Sequence, residues 1–217
     1  MPFTPDTPGS PSGKKDMVFR CISCCMDNRI DNSERAVFAA GCFWGVEAAF
    51  KRLPGVLKTR VGYTGGHVAD PEYQEVCSGS TGHIEACEVV YVPSIISFED
   101  LLVLFWRIHD PTQQDGQGND HGTQYLSAIF FHTTEQERTA RASLLEEEES
   151  GRHGGRIATR ILPACVFWDA EEYHQKYLDR NPGGYCHINM AEVNRVVSDI
   201  ARRRQADMGG RCYGMQG

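Results

Sequence analysis

Cys42, flanked by two large aromatics in Gly41-Cys42-Phe43-Trp44-Gly45, has the surroundings for thiol chemistry. Residues 35–40 read as a short buried strand, and Val46, Ala49, Phe50 and Leu53 recur at helical spacing up to Pro54. That turn sets Cys42 near a helix N-terminus, where unpaired N–H groups and the positive end of the helix dipole favour a thiolate. The other reading is an ordinary buried thiol, since free cysteine is among the most buried residue types. Three further segments carry polar groups able to converge on Cys42. Tyr73 lies in Pro71-Glu72-Tyr73, Glu85 sits between the apolar Ile84 and Ala86, and Gly118-Asn119-Asp120-His121-Gly122-Thr123-Gln124-Tyr125 supplies Asp120 and Tyr125. A carboxyl in a partly dry pocket has a raised pKa and keeps a proton to donate. Taken alone, Glu85 reads better as a surface strand carboxylate, and Tyr73 and Tyr125 as amphipathic residues at the rim of a core; only the joint match of the segments reverses this.

The elements that must position these groups alternate. Strands are predicted over residues 35–40, 56–63, 83–92, 125–132 and 157–168. Helices are predicted from Cys42 to Pro54, over 97–109 with Ser97 as N-cap and Asp100 at N3, and over the charged residues 134–149. The run 113–123 is a loop rich in Gly, Asn and Asp, and Glu146 to Glu149 read as a solvated helix face. The core order β-α-β-β-α-β implies an α+β fold, a two-layer ferredoxin-like (split βαβ) sandwich with added helices and an irregular C-terminal tail. Residues 1–32, rich in Pro, Ser, Gly and Asp, read as a disordered leader, 33–182 as the catalytic domain and 183–217 as the tail. Within that tail, 187–206 looks helical.

At 217 residues the chain suits one decorated domain, and we expect a monomer. A net charge of −7 lacks the basic footprint that nucleic acid requires. No apolar run approaches a membrane span and no signal pattern opens the chain, so a soluble, cytoplasmic protein is expected. A weak organelle address built on Lys14, Lys15 and Arg20 is interrupted by Asp6 and Asp16. Nine cysteines, an odd number, argue against a fully paired secretory framework and for reduced thiols. Cys21, Cys24 and Cys25 cluster tightly without the second ligand pair that a closed zinc site needs. No metal or other cofactor is expected.

Together, the GCFWG turn and the segments around Tyr73, Glu85 and Asp120 to Tyr125 resemble the peptide methionine sulfoxide reductase A family, from about residue 35 to Cys186. The resemblance implies reduction of methionine-S-sulfoxide, free or in proteins, with thioredoxin as electron donor and a role in protein repair under oxidative stress. It makes Cys42 the nucleophile at sulfur, Phe43 and Trp44 the wall around the S-methyl group, and Glu85 the acid. The acid also has a family-independent logic, because a sulfoxide oxygen leaves badly unless protonated or strongly hydrogen-bonded. Tyr73 and Tyr125 would donate to the same oxygen, as in an oxyanion hole, and Asp120 would organise the site by hydrogen bonding. The segment 171–177 resembles one that packs near the family's site. Cys186 matches the resolving position, which would condense with a Cys42 sulfenic acid to a disulfide, and Cys212 would relay that disulfide outward. The helical look of 187–206 departs from a glycine-rich tail and leaves the relay order open. His121 is expected to be structural, and Cys77, Cys87 and Cys165 to be packing residues.

Two other classes compete with this reading. A cysteine-nucleophile acyl transferase or hydrolase would need a histidine base at Cys42. A non-enzymatic redox-sensing or metal-binding protein would rest on the Cys21 cluster.

Overall fold

The computed structural model describes residues 32–213. The leader, with Cys21, Cys24, Cys25 and the weak address, lies outside the described residues.

Strand β1 (Glu34–Ala40) runs between β3 (Ile84–Tyr91) and β6 (Ser127–Phe131), with β2 (Val56–Thr64) beyond β3. All these neighbours are antiparallel. Helices α1 (Phe43–Phe50) and α3 (Phe98–Phe105) make the two crossovers, so the order β6-β1-β3-β2 is the expected split βαβ arrangement. Residues alternate between the faces with the pleat. Phe38, Cys87, Val89 and Ile129 join the core shared with the helices, while Val37, Ala39, Ala86, Ala128 and Phe130 form a smaller cluster. Phe38 stacks on Phe50 at 4.6 Å and on Phe98 at 6.0 Å, clamping both crossover helices to β1.

Helix α3 opens with the predicted capping box, Ser97 accepting from the Asp100 backbone N–H while the Asp100 carboxylate accepts from Ser97 N–H. It stops four residues short of the predicted end. His109 Nδ1–H donates to the Phe105 carbonyl at 2.8 Å, taking the acceptor that a continuing helix would give to the His109 backbone. The loop 113–123 holds a small hairpin, β4 (Gly116–Gln117) with β5 (Asp120–His121), and Tyr125 belongs to a 3₁₀ turn rather than to β6.

The predicted strand 157–168 is two strands on opposite edges. β7 (Arg160–Pro163) pairs parallel with β6, and β8 (Trp168–Asp169) pairs antiparallel with β2. Between them Ala164 and Phe167 cover the smaller apolar cluster, so the run is apolar because it is a strap over that face.

Helix α4 (Thr134–Glu149) has its acidic end largely exposed, as expected. The tail is irregular only to Asn189. From there α6 (Met190–Tyr213) buries Val193, Val196 and Ile200 on one helical stripe in the main core, and Arg204 pairs with Asp100 of α3. Among the described residues no helix is long and apolar enough to cross a membrane.

Candidate active site

Gly41 has φ +84°, and a Cβ there would come within 2.6 Å of Gln117 Cβ, so glycine alone makes the turn that swings the chain off β1. Cys42 is then the N-cap of α1, and the site itself takes up the first N–H group of the helix. Phe43 N–H donates to Glu85 Oε2 at 3.1 Å, while the Cys42 side chain makes no capping hydrogen bond of its own. Glu85 comes from β3, paired with Tyr63 of β2, on the helix side of the sheet. Tyr73 opens the short helix α2 (Tyr73–Cys77), fixed by its backbone N–H donating to Glu171 Oε1 at 2.8 Å.

These groups meet in a cavity of about 230 Å³. Cys42, Phe43, Trp44, Tyr73, Glu85, Asp120 and Tyr125 all line it, together with His174 and Tyr185, which the sequence reading did not select. Tyr185 donates its hydroxyl to Asp120 Oδ2 at 3.0 Å. His174 is buried with its Nδ1 accepting from Trp44 Nε1–H at 3.1 Å, so a neutral ring carries its proton on Nε2, which has no hydrogen-bond partner among the described residues and lies 3.8 Å from Glu171 Oε2. Trp44 is held on its other side by Tyr177, at the start of α5 (Tyr177–Arg180), stacked at 3.8 Å. The clue available in the sequence was aromatic density between acids in Tyr173-His174-Gln175-Lys176-Tyr177.

Glu85 is 2% exposed, and burial pushes its carboxyl up to about 8 against the Phe43 N–H, with Asp120 adding to the rise. It is the buried carboxyl, not the surface one, and holds its proton at neutral pH. Cys42 does not rest as the thiolate expected from a helix N-terminus. Burial, then the nearby Glu85, push its thiol well up, and the Trp44 N–H does not offset them. Burial likewise raises Tyr73 and Tyr125, which remain O–H donors.

Cys186 is half-buried over the first turn of α1. A Cβ on Gly45 would meet its Sγ at 3.0 Å, so Gly45 makes the room that brings Cys186 within one helical turn of Cys42. Cys212 is not brought there, because its backbone lies near the far end of α6. Cys87 is buried as expected, whereas Cys77 and Cys165 are exposed and are not packing residues. His121 is exposed, 3.8 Å from Asp115. His174, the one histidine lining the cavity among the described residues, is bonded to Trp44, and His187, outside that lining, donates Nε2–H to the Ala40 carbonyl at 2.9 Å.

A family model described as peptide methionine sulfoxide reductase matches residues 34–205. The chain belongs to that family. A peptide methionine sulfoxide reductase MsrA of Methanothermobacter thermautotrophicus is 54% identical over 155 residues, covering 71% of this chain and 92% of the relative. Among solved structures, methionine sulfoxide reductase A of Corynebacterium diphtheriae is similar with a TM-score of 0.68 and 41% identity, covering 71% of this chain and 78% of that one. The reduced form of Mxr1 from Saccharomyces cerevisiae gives 0.67 and 38%, covering 72% and 90%. The methionine sulfoxide reductase match contains every residue lining the Cys42 cavity, and Cys186, but ends before Cys212.

Proposed function

We propose that this chain reduces methionine-S-sulfoxide, free or in proteins, to methionine, and so repairs oxidised proteins. The observation that carries the reading is a buried thiol sharing one small cavity with a proton-bearing carboxyl and an aromatic wall. Phe43 and Trp44 hold the S-methyl group, and Tyr73 and Tyr125 donate hydrogen bonds to the sulfoxide oxygen. Glu85 delivers its proton to that oxygen as Cys42 attacks sulfur, and takes up the proton that the thiol loses. The oxygen ends on Cys42 as a sulfenic acid and methionine departs, two electrons having come from the Cys42 sulfur. The Cys186 thiol then condenses with the sulfenic acid, releasing water and forming a Cys42–Cys186 disulfide, which thioredoxin reopens by exchange. Asp120, held by Tyr185, organises the side of the cavity that faces the tail. One chain supplies all these groups, as suits a monomer, and the five described cysteines are free, as suits the cytoplasm.

The test is consumption of one epimer of a methionine sulfoxide substrate by the full chain with a dithiol reductant. Cys42→Ser should remove essentially all turnover while leaving the circular dichroism spectrum unchanged, because an alcohol is a far poorer nucleophile toward sulfur. Appreciable residual turnover would move the nucleophile elsewhere.

A further inference from the structure

Next along the chain from Tyr125, at Leu126 and Ser127, lies a larger depression, about 430 Å³, over the start of β6 and the approach to β7. Arg156 and Arg160 stand on its rim, the buried hydroxyls of Ser127 and Thr159 form its floor, and Gln113 and Gln114 close it from the loop before β4. The floor has no proton to offer a ligand. His109 spends its Nδ1–H on Phe105, so its Nε2 accepts from Ser127 at 2.7 Å, and Ser127 in turn accepts from Thr159 at 2.8 Å. Gln113 has its oxygen taken by Gly118 N–H at 2.7 Å, which leaves its NH₂ group free to donate. Both arginines are exposed, and neither side chain makes a hydrogen bond or ion pair among the described residues. The donors are therefore on the rim and not on the floor: the Gln113 NH₂ group and two guanidiniums without a side-chain partner among the described residues, in a chain of net charge −7. Guanidinium forks are suited to carboxylate.

Its position ties it to the reductase cavity. Ser127 pairs with Ala40, two residues before Cys42, so the groove opens at the same end of the sheet as the active site. Tyr125 lines one depression and Leu126 the other. From β3, which carries Glu85, to β6 is two strand spacings, about 10 Å, or roughly three residues of extended peptide. We propose that this groove is a subsite for an Asp or Glu side chain about three residues from the methionine sulfoxide of a peptide substrate. The inference rests on the reductase reading above and adds to it a preference among oxidised segments.

The experiment compares kcat/KM of the full chain on blocked peptides carrying methionine-S-sulfoxide and either Glu or Gln three residues away, on each side in turn, with free methionine-S-sulfoxide as reference. The wild type should favour the Glu peptide on one side by about five- to tenfold at low ionic strength, and by less in about 0.5 M salt. The Arg156→Gln/Arg160→Gln double variant should lose that preference and still turn over the Gln peptide and the free sulfoxide as before. Arg156→Glu/Arg160→Glu should come to favour a Lys peptide. Equal rates on Glu and Gln peptides with the wild type, or a preference that survives the double Gln substitution, would overturn the subsite and leave the reductase standing. If no sulfoxide turns over, free or in a peptide, the reductase reading fails and the subsite fails with it.

Discussion

Glu85 keeps its proton for the same leading reason that Cys42 keeps its own, burial, to which the charge of Asp120 adds at Glu85 and that of an ionised Glu85 adds at Cys42. In the proposed reaction this coupling is useful, since the acid is charged with a proton until the thiol surrenders one. It also sets a pH limit. With the carboxyl pushed up to about 8, kcat/KM should fall as pH rises through that value, and Glu85→Gln should erase this limb while lowering the single-turnover rate by roughly 10²-fold. A rate within a few-fold of wild type would shift the acid's role to Tyr73 or Tyr125. Stability carries the same signature. The folded pKa lies above the ordinary carboxyl value of 4.5, so the contribution of Glu85 is complete below that value and lost as pH rises through about 8. Thermal unfolding should therefore show the Gln variant gaining on wild type between pH 6 and pH 9.

Helix α1 is anchored at both ends by groups distant in sequence, and this decides what the sequence could reveal. Glu47, buried on α1, accepts from Thr59 at 3.0 Å and from the backbone N–H of Lys176, which takes a left-handed φ of 52°, so the segment bearing His174 and Tyr177 is pinned against Trp44. At the other end Gly45 leaves room for Cys186 and Ile188. Gly45→Ala should favour the helix locally, yet push Cys186 off the turn. The expected outcome is a normal burst of about one sulfoxide reduced per chain, followed by slower disulfide formation, read by quenched-flow and thiol titration; an unchanged disulfide rate would mean that Cys186 approaches from elsewhere. Strands β1, β2, β3 and β6, and the Ser97 cap, were legible because their signals are local: period-two alternation, helical spacing, a hydroxyl three residues before a carboxylate. Residues 157–168 were not, since a strap covering an apolar face is as apolar as a strand. The segment 171–177 was placed near the site by resemblance alone, while the bond of His174 to Trp44 and the whole contribution of Tyr185 were not legible, since the partners Trp44 and Asp120 lie 130 and 65 residues away and leave no periodic trace. The thiolate at Cys42 was misjudged because the helix terminus was visible in sequence and the depth of burial was not.

Across the whole molecule the question is whether the proposed redox sequence can extend along the tail to Cys212. Cys186 stands at the first turn of α1, but α6 begins at Met190 and rises 1.5 Å per residue, which places Cys212 about 33 Å along its axis. The Arg204–Asp100 pair shows where the helix goes. Asp100 is in the first turn of α3, which follows the end of β3 opposite Glu85, so α6 heads for the end of the sheet away from Cys42. Bringing Cys212 to a Cys42–Cys186 disulfide would require unwinding α6 and exposing Val193, Val196 and Ile200, at roughly 1.5–3 kcal/mol for each buried side chain. In the proposed cycle the geometry thus favours direct exchange between the external dithiol and a Cys42–Cys186 disulfide. Cys186→Ser should reduce about one equivalent of substrate and then stall when thioredoxin is the only reductant, whereas Cys212→Ser should keep turning over within about twofold of wild type. Should Cys212→Ser instead accumulate the Cys42–Cys186 disulfide, the helix must unwind during each cycle, and amide hydrogen exchange across residues 190–206 would have to accelerate on oxidation.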